Sequence, residues 1–535
     1  MLFYFTFHRK KCITHCNLDQ LLISKAEAHY DKNSKEQNLP EKTMRKVIDL
    51  QLKLGEKSIS DIQFDPRSRD EIPKLLRGLQ ALYIDPEVRA KLFEALSGLV
   101  PANVDSNNGR KGMNLWNIFV LGTLRLNCNW DYDKLLEIAN NHVRVRQMLC
   151  HGIMEGDYQY KLQTLHDNVS LFTPEIADEI NRIVVEFGHK VVGKKEDEKL
   201  HGSCDSFVLE TDVRFPTDIG ILFEAIRVMI TFVMSICGGL GISDWLQGKH
   251  HIRKAKKFYR KAQQLKRSSS KNEEKKAERE RLIISAHLEY IALAQGYVDK
   301  VRETLLSIQS PDIFTSLRIK RVEDMIVHCE RQVDQIRRRV VNGESIPHHE
   351  KVFSIFEEHT EWISKGKAGV PVELGLRVCI VKDQYNFILH HRVMQKETDD
   401  KIAVPIVEET QSRFPDFRSC SFDKGFHSPD NQKKLAELLD KTFLPRKGRL
   451  SAINREIENS EEFKSARRKH SAVESSINAL ENHGLDRCPD HGLHGFKRYV
   501  ALAVVARNIQ IVGDLLQKKE VKKLRSEKKR KQKAA

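Results

Sequence analysis

What this 535-residue sequence lacks narrows it first. Its ten cysteines, at 12, 16, 128, 150, 204, 237, 329, 379, 420 and 488, are scattered and form no dense framework, which excludes a small disulfide-stapled secreted fold and suits a reducing compartment. With only 15 prolines and 27 glycines, it is neither collagen-like nor a low-complexity linker. The opening MLFYFTF is too short for a signal-peptide core, and its charge follows the apolar stretch instead of preceding it. The longest apolar run, Val228 to Ile242, falls short of a membrane span and breaks at Gly238-Gly239, so it reads as a buried helix with a glycine cap. No G-x-x-x-x-G-K-[ST] phosphate loop occurs, nor a motif for a Ser–His–Asp or Cys–His nucleophile. A soluble, cytoplasmic protein is expected, without membrane partners.

Charge is what the chain has in excess. Lys plus Arg total 90 against 74 Asp plus Glu, a formal +16. Such a surplus favours polyanions, nucleic acid first. It is concentrated: KHHIRKAKKFYRKAQQLKR (249–267) is nearly free of acid, and QKKEVKKLRSEKKRKQKAA closes the sequence as a basic tail. The first run reads either as a solvated helical face or as a phosphate-tracking surface built from Arg253, Lys254, Lys256, Lys257, Arg260 and Lys261. At more than 500 residues, two to four domains are expected.

The hydrophobic period divides the chain. Residues 1–43 form a loose extension. From 44 to 195 the pattern is helical, with Leu75, Leu76, Leu79 and Leu82 and then Leu92, Phe93, Leu96 and Leu99 at helical spacing. DYDKLLEIANNHVRVRQMLC (131–150) reads as two short helices, either a helix-turn-helix or part of a plain bundle, and this region is the expected DNA-binding domain. The period changes at 204–214, a strand, followed by a helix from Asp218, its expected N-cap. A charged helical region occupies 249–345. Leu374 to Met394 reads as a β-hairpin, then come a helix at 402–413, a strand at Phe417–Phe422 and a helix at 429–440. A strand near Thr442 and helices at 460–482 and 494–517 follow.

From 204 onward this order fits a mixed-sheet α/β layer, that of an RNase H-like domain with a helical insertion. The expected fold is therefore mixed α/β and α. An RNase H-like catalytic domain (200–515) is interrupted at 249–345, preceded by the helical domain, and ends in a basic tail (516–535).

Three carboxylates stand at informative places: Asp212 on the strand, Asp423 where a strand runs into Lys424-Gly425, and Glu474 on a late helix. Alone, each reads as a solvated strand, turn or helix acid. In order, they fit the hard oxygen ligands that divalent cations require in phosphodiester transfer. His470 lies one helical turn before Glu474 on the same face.

The blocks around these acids resemble those of DDE-type insertion-sequence transposases. ETDVRFPTD (210–218) resembles a first block with an acid before a Pro-Thr-Asp turn. FDKGFHS (422–428) is similar to the second, and RRKHSAVESSINALENHGLDRC (467–488) to the third, with Leu444-Pro445-Arg446-Lys447-Gly448 between them. The resemblance runs over about 68–515 and looks nearest to the unclassified insertion-sequence group. It implies cleavage of transposon ends and strand transfer into target DNA, with Asp212, Asp423 and Glu474 as catalytic acids holding two Mg²⁺ or Mn²⁺ ions. Lys424, Arg467 and His470, with Arg253, Lys254, Lys257 and Arg260, become the expected DNA contacts. It further implies double-stranded DNA as partner, a homo-oligomer pairing two ends, and a nucleoid-associated location. The separations are 423 − 212 = 211 and 474 − 423 = 51, which puts the insertion between the first two acids. Two alternatives stay open: an RNase H-like nuclease that cuts without joining, and a non-catalytic DNA-binding protein derived from a transposase. Weaker features are the cluster His483, Cys488, His491 and His494, which could be a zinc site or a loop; Cys12 and Cys16 with His8 and His15; and Trp245 and Tyr259, which read as base-stacking or core residues.

Overall fold

The computed structural model describes residues 43–44, 46–48, 55–100, 110–152, 158–265, 272–309, 311–364 and 371–534. Residues 1–42 of the expected N-terminal extension, with Cys12 and Cys16, lie outside this set. The protein is mixed α/β and mostly helical, with one seven-stranded mixed sheet. In chain order the first helices are α1 (Glu71–Ile84), α2 (Pro86–Ser97), α3 (Leu115–Asn127), α4 (Tyr132–Asn141), α5 (Val143–Met148), α6 (Leu162–Val169) and α7 (Pro174–Val192). The chain divides into two compact units. The first comprises residues 1–63, 82–122 and 132–172, and the second 64–81, 123–131 and 173–535.

The first unit is built on an aromatic core. Trp116 stands within 5.4 Å of Tyr83, 6.3 Å of Phe93 and 6.0 Å of Phe119, ring centre to ring centre. Trp116 Nε1 donates to the Met148 carbonyl at 3.0 Å, which satisfies the buried indole. The two short helices expected at 131–150 are α4 and α5. The second is only six residues long, and its Arg146 guanidinium donates to the carbonyls of Asn140 and Tyr158 at 3.2 and 3.1 Å. That arginine serves as a local tie, which favours the bundle reading over a recognition helix.

The second unit carries the sheet. Strand β1 (Leu200–Thr211) is its centre, and it begins four residues earlier than its own composition announces. The helices α8 (Asp218–Leu240), α9 (Gly248–Leu265), α10 (Glu273–Leu306) and α11 (Ile313–Ile336) come next. Strands β2 (Glu361–Ser364), β3 (Val372–Lys382) and β4 (Ile388–Val393) then return the chain to the sheet. After α12 (Asp399–Arg413) come β5 (Phe417–Phe422), α13 (Pro429–Leu438), β6 (Lys441–Phe443), α14 (Ala452–Asn459), α15 (Glu461–Leu480), β7 (Arg487–Cys488) and α16 (Gly492–Ala534).

The hairpin β3–β4 pairs antiparallel, as its period and turn residues predict. Asn386 at its turn adopts φ 73°, a left-handed conformation asparagine tolerates. On one side β3 pairs antiparallel with β1; on the other side of β1, β5 pairs parallel, and β6 pairs parallel with β5. The order is β4-β3-β1-β5-β6, with β2 added along β3 and β7 along β1. Helix α15 packs on β1 and β5, and α16 packs along α7.

The insertion between β1 and β2 starts earlier than the charge pattern suggests, because the apolar α8 belongs to it. Its four helices share a core that includes Ile226, Met229, Val233, Trp245, Tyr290, Val298 and Met325. Thr217, not Asp218, caps α8: the Thr217 hydroxyl accepts from Gly220 N–H, while Asp218, in the first turn, pairs with Arg339 at 2.7 Å. The helix runs to Leu240 and is capped by Gly241 (φ 69°), two residues beyond the glycine pair expected to stop it. By length and composition α8 and α16 each contain a stretch that could cross a membrane, and 67% and 72% of those stretches are buried within the protein. The last helix does not stop near 517: the basic tail continues it to Ala534.

Candidate functional site

Register decides which acids meet. Cys204 on β1 lies opposite Phe422, the last residue of β5, so Asp205 on β1 and Asp423 just past β5 both follow this pair, and the two carboxylates repel each other. One step back on the same face, Ser203 and Ser421 are linked, Ser421 Oγ to Ser203 Oγ, at 3.0 Å. Helix α15 crosses this face. Its His470 Nδ1 lies 3.0 Å from Ser421 Oγ, and Glu474 follows one turn later. Lys382, buried on β3, ties the hairpin to this helix by donating to the Ala472 carbonyl at 3.0 Å and to Asn386 at 2.7 Å.

Asp205 is the most sheltered acid of the group. Burial pushes its carboxyl up to about 6. Repulsion from Asp423, Asp399 and Glu474 adds to the rise, while the Ser206 N–H opposes it. The fourth acid, Asp399, opens α12 and accepts from the Ser206 hydroxyl at 2.7 Å. Asp423 and Glu474 are exposed at the mouth of the site. Burial also holds the His470 imidazole below its ordinary value, against the pull of Asp423 and Glu474. Its Nε2 is buried and, among the described residues, has no hydrogen-bond partner.

Asp212, the acid expected to lead the site, lies elsewhere. It is seven residues beyond Asp205, about 23 Å along an extended chain at roughly 3.3 Å per residue. Its side chain is 60% exposed and sits 3.6 Å from Arg487, which also contacts Glu210. Asp423 and Glu474 lie near each other, both close to Asp205 and His470, and Asp212 does not join them. The sequence carried the clue in the odd spacing: 205 and 212 point to opposite faces of a regular strand.

The donor set suits a hard divalent cation. Asp205, Asp423 and Glu474 offer only oxygens; the Asp205 carboxyl is raised by burial first and by the neighbouring acids after it, and a cation would offset both. Among the described residues no three His, Cys, Asp or Glu side chains already form a closed ligating cluster, so these acids are electrostatic neighbours and not a finished cage.

The expected DNA contacts fall into two groups. Lys424, directly after Asp423, and Arg467, one turn before His470, are exposed beside the acids. Arg253, Lys254, Lys257 and Arg260 form an exposed stripe on α9, opposite its buried Ala255, Tyr259 and Ala262. Among the described residues none of these four pairs with a carboxylate, whereas Lys261 pairs with Glu289 at 2.7 Å. Two cations of the 444–448 segment, not named in the sequence as DNA contacts, lie near the site. Lys447 donates to the Gly425 carbonyl at 2.7 Å, folding the 444–448 segment against the turn after Asp423, and Arg446 precedes it.

The weaker sequence features resolve into packing. Trp245 is buried, donates to Thr304 at 2.9 Å and lies under Lys300. Tyr259 stacks on Phe223 at 5.4 Å. The candidate zinc ligands have separate partners: His483 the Asn127 carbonyl, Cys488 the Asp490 carbonyl, and His491 the Glu357 carboxylate at 2.7 Å. No family model, no curated protein and no solved structure matches this chain.

Proposed function

We propose that the protein is a DDE-type transposase whose catalytic acids are Asp205, Asp423 and Glu474. The observation that carries this reading is the approach of Asp423, just past the end of β5, and of Glu474 on α15 to Asp205 on the neighbouring strand β1, close enough that both carboxylates repel it. The order β4-β3-β1-β5-β6, antiparallel across the hairpin and parallel beyond β1, supports an RNase H-like reading of the domain. In such a sheet a central-strand acid, a neighbouring strand-end acid and a late-helix acid converge. The three sequence blocks add to this, with the first block's acid moved from Asp212 to Asp205.

Two Mg²⁺ or Mn²⁺ ions held by these carboxylates would supply the charge that activates the attacking oxygen and neutralises the leaving one. The protein's own groups do the rest. Asp205 anchors from within the sheet, where Ser206 N–H fixes its carboxylate, and Asp423 and Glu474 close the site from the solvent side. Lys424 and Arg467 offset phosphate charge on either side. His470, bonded to Ser421 through Nδ1, braces α15 against β5 beside the acids, with its Nε2 turned into the protein. Water as nucleophile would break a P–O3′ bond, leaving a 5′-phosphate and freeing a 3′-hydroxyl, and that hydroxyl would attack a target phosphorus at the same acids, displacing the target's 3′-oxygen. The α9 stripe offers a second, sequence-independent hold on the duplex. Two ends must be handled together, so a homo-oligomer is expected.

The test is cleavage and joining of a duplex carrying the DNA that flanks the gene, with Mg²⁺ or Mn²⁺. Wild type should cut and join, and Asp205→Asn, Asp423→Asn and Glu474→Gln should each abolish both while DNA binding survives. Cutting without joining would favour a nuclease. Binding without cutting by the wild type would favour a non-catalytic DNA-binding protein.

A further inference from the structure

The last turns of α16 have no role in the fold. The helix is held as far as Gln517, which donates to the Pro66 and Ser68 carbonyls at 3.0 and 2.8 Å, and Glu520, which pairs with Arg77. From Lys522 to Gln532 every residue is exposed, yet the segment stays helical. It adds about 16 Å of free-standing helix at 1.5 Å per residue. An isolated helix this short is marginal in water, but here the packed turns have already met the cost of nucleation.

Its charge is one-sided in sign and not in direction. Seven cations, Lys522, Lys523, Arg525, Lys528, Lys529, Arg530 and Lys531, face a single acid, Glu527. At about 100° per residue they surround the axis, leaving no gap wider than about 80°. The pairs Lys522–Arg525, Arg525–Lys528, Arg525–Lys529 and Lys528–Lys531 set like charges three or four residues apart, a mutual repulsion that a polyanion would remove. Leu524 is the one aliphatic side chain among these eleven residues. A helix that lies in a membrane surface needs an apolar face, and this one has none.

We propose that Lys522–Lys531 is a rigid arm that binds duplex DNA through its phosphates, largely regardless of sequence. A cylinder cationic on all sides can touch both walls of a groove at once. The B-form major groove, about 12 Å wide, admits a helix, whereas the major groove of A-form RNA is too narrow. The inference stands apart from the catalytic reading, since it needs neither metal nor the three acids.

The experiment is fluorescence anisotropy of the full-length protein on a labelled random-sequence DNA duplex, in EDTA, across a salt series. The probe is compared with an RNA duplex of the same length and with vesicles rich in phosphatidylserine. One variant replaces all seven cations by Gln, and a second replaces the five lysines by Arg. The Gln variant should bind DNA at least about tenfold more weakly near 0.15 M salt. Its log K against log salt should be shallower by about 2–4, at roughly 0.9 for each phosphate no longer neutralised. The Arg variant should bind like wild type, and circular dichroism and thermal melting should show both variants folded, because the replaced side chains support no packing. Unchanged affinity and slope in the Gln variant would overturn the proposal. So would tighter binding to the RNA duplex, or a loss on substitution confined to the vesicles. Loss of cleavage by Asp205→Asn with DNA binding intact, measured separately, tests the catalytic reading without touching the arm.

Discussion

Two aspartates of the second unit are both sheltered from water, and they are held in opposite ways. Asp490, ahead of α16, is pushed up by burial but lies between Arg125 at 2.9 Å and Arg498 at 2.7 Å, and the two guanidiniums bring its carboxyl below the ordinary range. Asp205, in mid-sheet, is pushed up by burial and then further by three other carboxylates. A buried acid with cationic partners is a fastening, complete as it stands. A half-buried acid among acids is a cost the fold carries, and such a cost persists where a bound cation or a reaction uses it. The contrast gives a physical reason to look for chemistry at Asp205 and for architecture at Asp490.

The largest effect should separate them in activity. On the proposed function, Asp205→Asn is expected to lower DNA cleavage by about a thousandfold or more, since that reading gives Asp205 a part in holding the cations. Steady-state cutting of the flanking-DNA duplex measures this, and a variant within tenfold of wild type would remove Asp205 from the site. The next effect is one of stability. Arg125→Ala should cost on the order of 3–5 kcal/mol, because the buried Asp490 carboxylate is left half-paired. A urea melt followed by tryptophan fluorescence reads it, and a change below about 1 kcal/mol would mean that water or Arg498 replaces the missing partner.

The sequence made much of this legible, and the losses have physical causes. The hairpin, β5, α12 and α15 were readable to within a few residues because each carries its own period. The parallel pairing of β1 with β5 is invisible in either strand alone. His201, Gly202, Ser203 and Cys204 have weak strand propensity, so Asp205 read as the border of a strand. Pairing with β3 and β5 extends the strand back to Leu200 and puts Asp205 at its centre. Asp212, with apolar neighbours on paper, drew attention because the Pro-Thr-Asp turn follows it; in space it is at the open end of β1. Asp423 and Glu474 were readable because a strand end and a helix face mark them locally. Asp399 was not, because its place depends on how α12 packs. The basic tail read as frayed because no apolar stripe supports it, and the packed part of α16 supplies what its own sequence lacks.

Smaller shifts test the electrostatics at Asp205 itself. Its carboxyl ionises near 6 in the fold against an ordinary 3.8, so the folded state prefers the protonated form. Stability from this group is therefore full below about pH 4 and is lost as pH rises through 6. At pH 7.5 Asp205→Asn should stabilise the protein by on the order of 1–3 kcal/mol, and the gain should vanish near pH 4. Added Mg²⁺ should raise the melting temperature of wild type more than that of Asp205→Asn. A variant less stable than wild type at pH 7.5 without metal would contradict the crowding of carboxylates described above.

The smallest expected effect falls at the other end of the same strand. Asp212 is mostly exposed, and its 3.6 Å approach to Arg487 is a surface ion pair worth about 0–1 kcal/mol. Asp212→Asn should leave thermal stability within about 0.5 kcal/mol of wild type at any pH from 4 to 8 and leave cleavage within a few-fold. Its Arg487 neighbour keeps Glu210 at 3.3 Å, so the loss of one carboxylate strands no charge. Were this substitution to abolish cutting while Asp205→Asn did not, the first acid would belong at the strand end after all. The approach of Asp423 to Asp205 would then need another purpose.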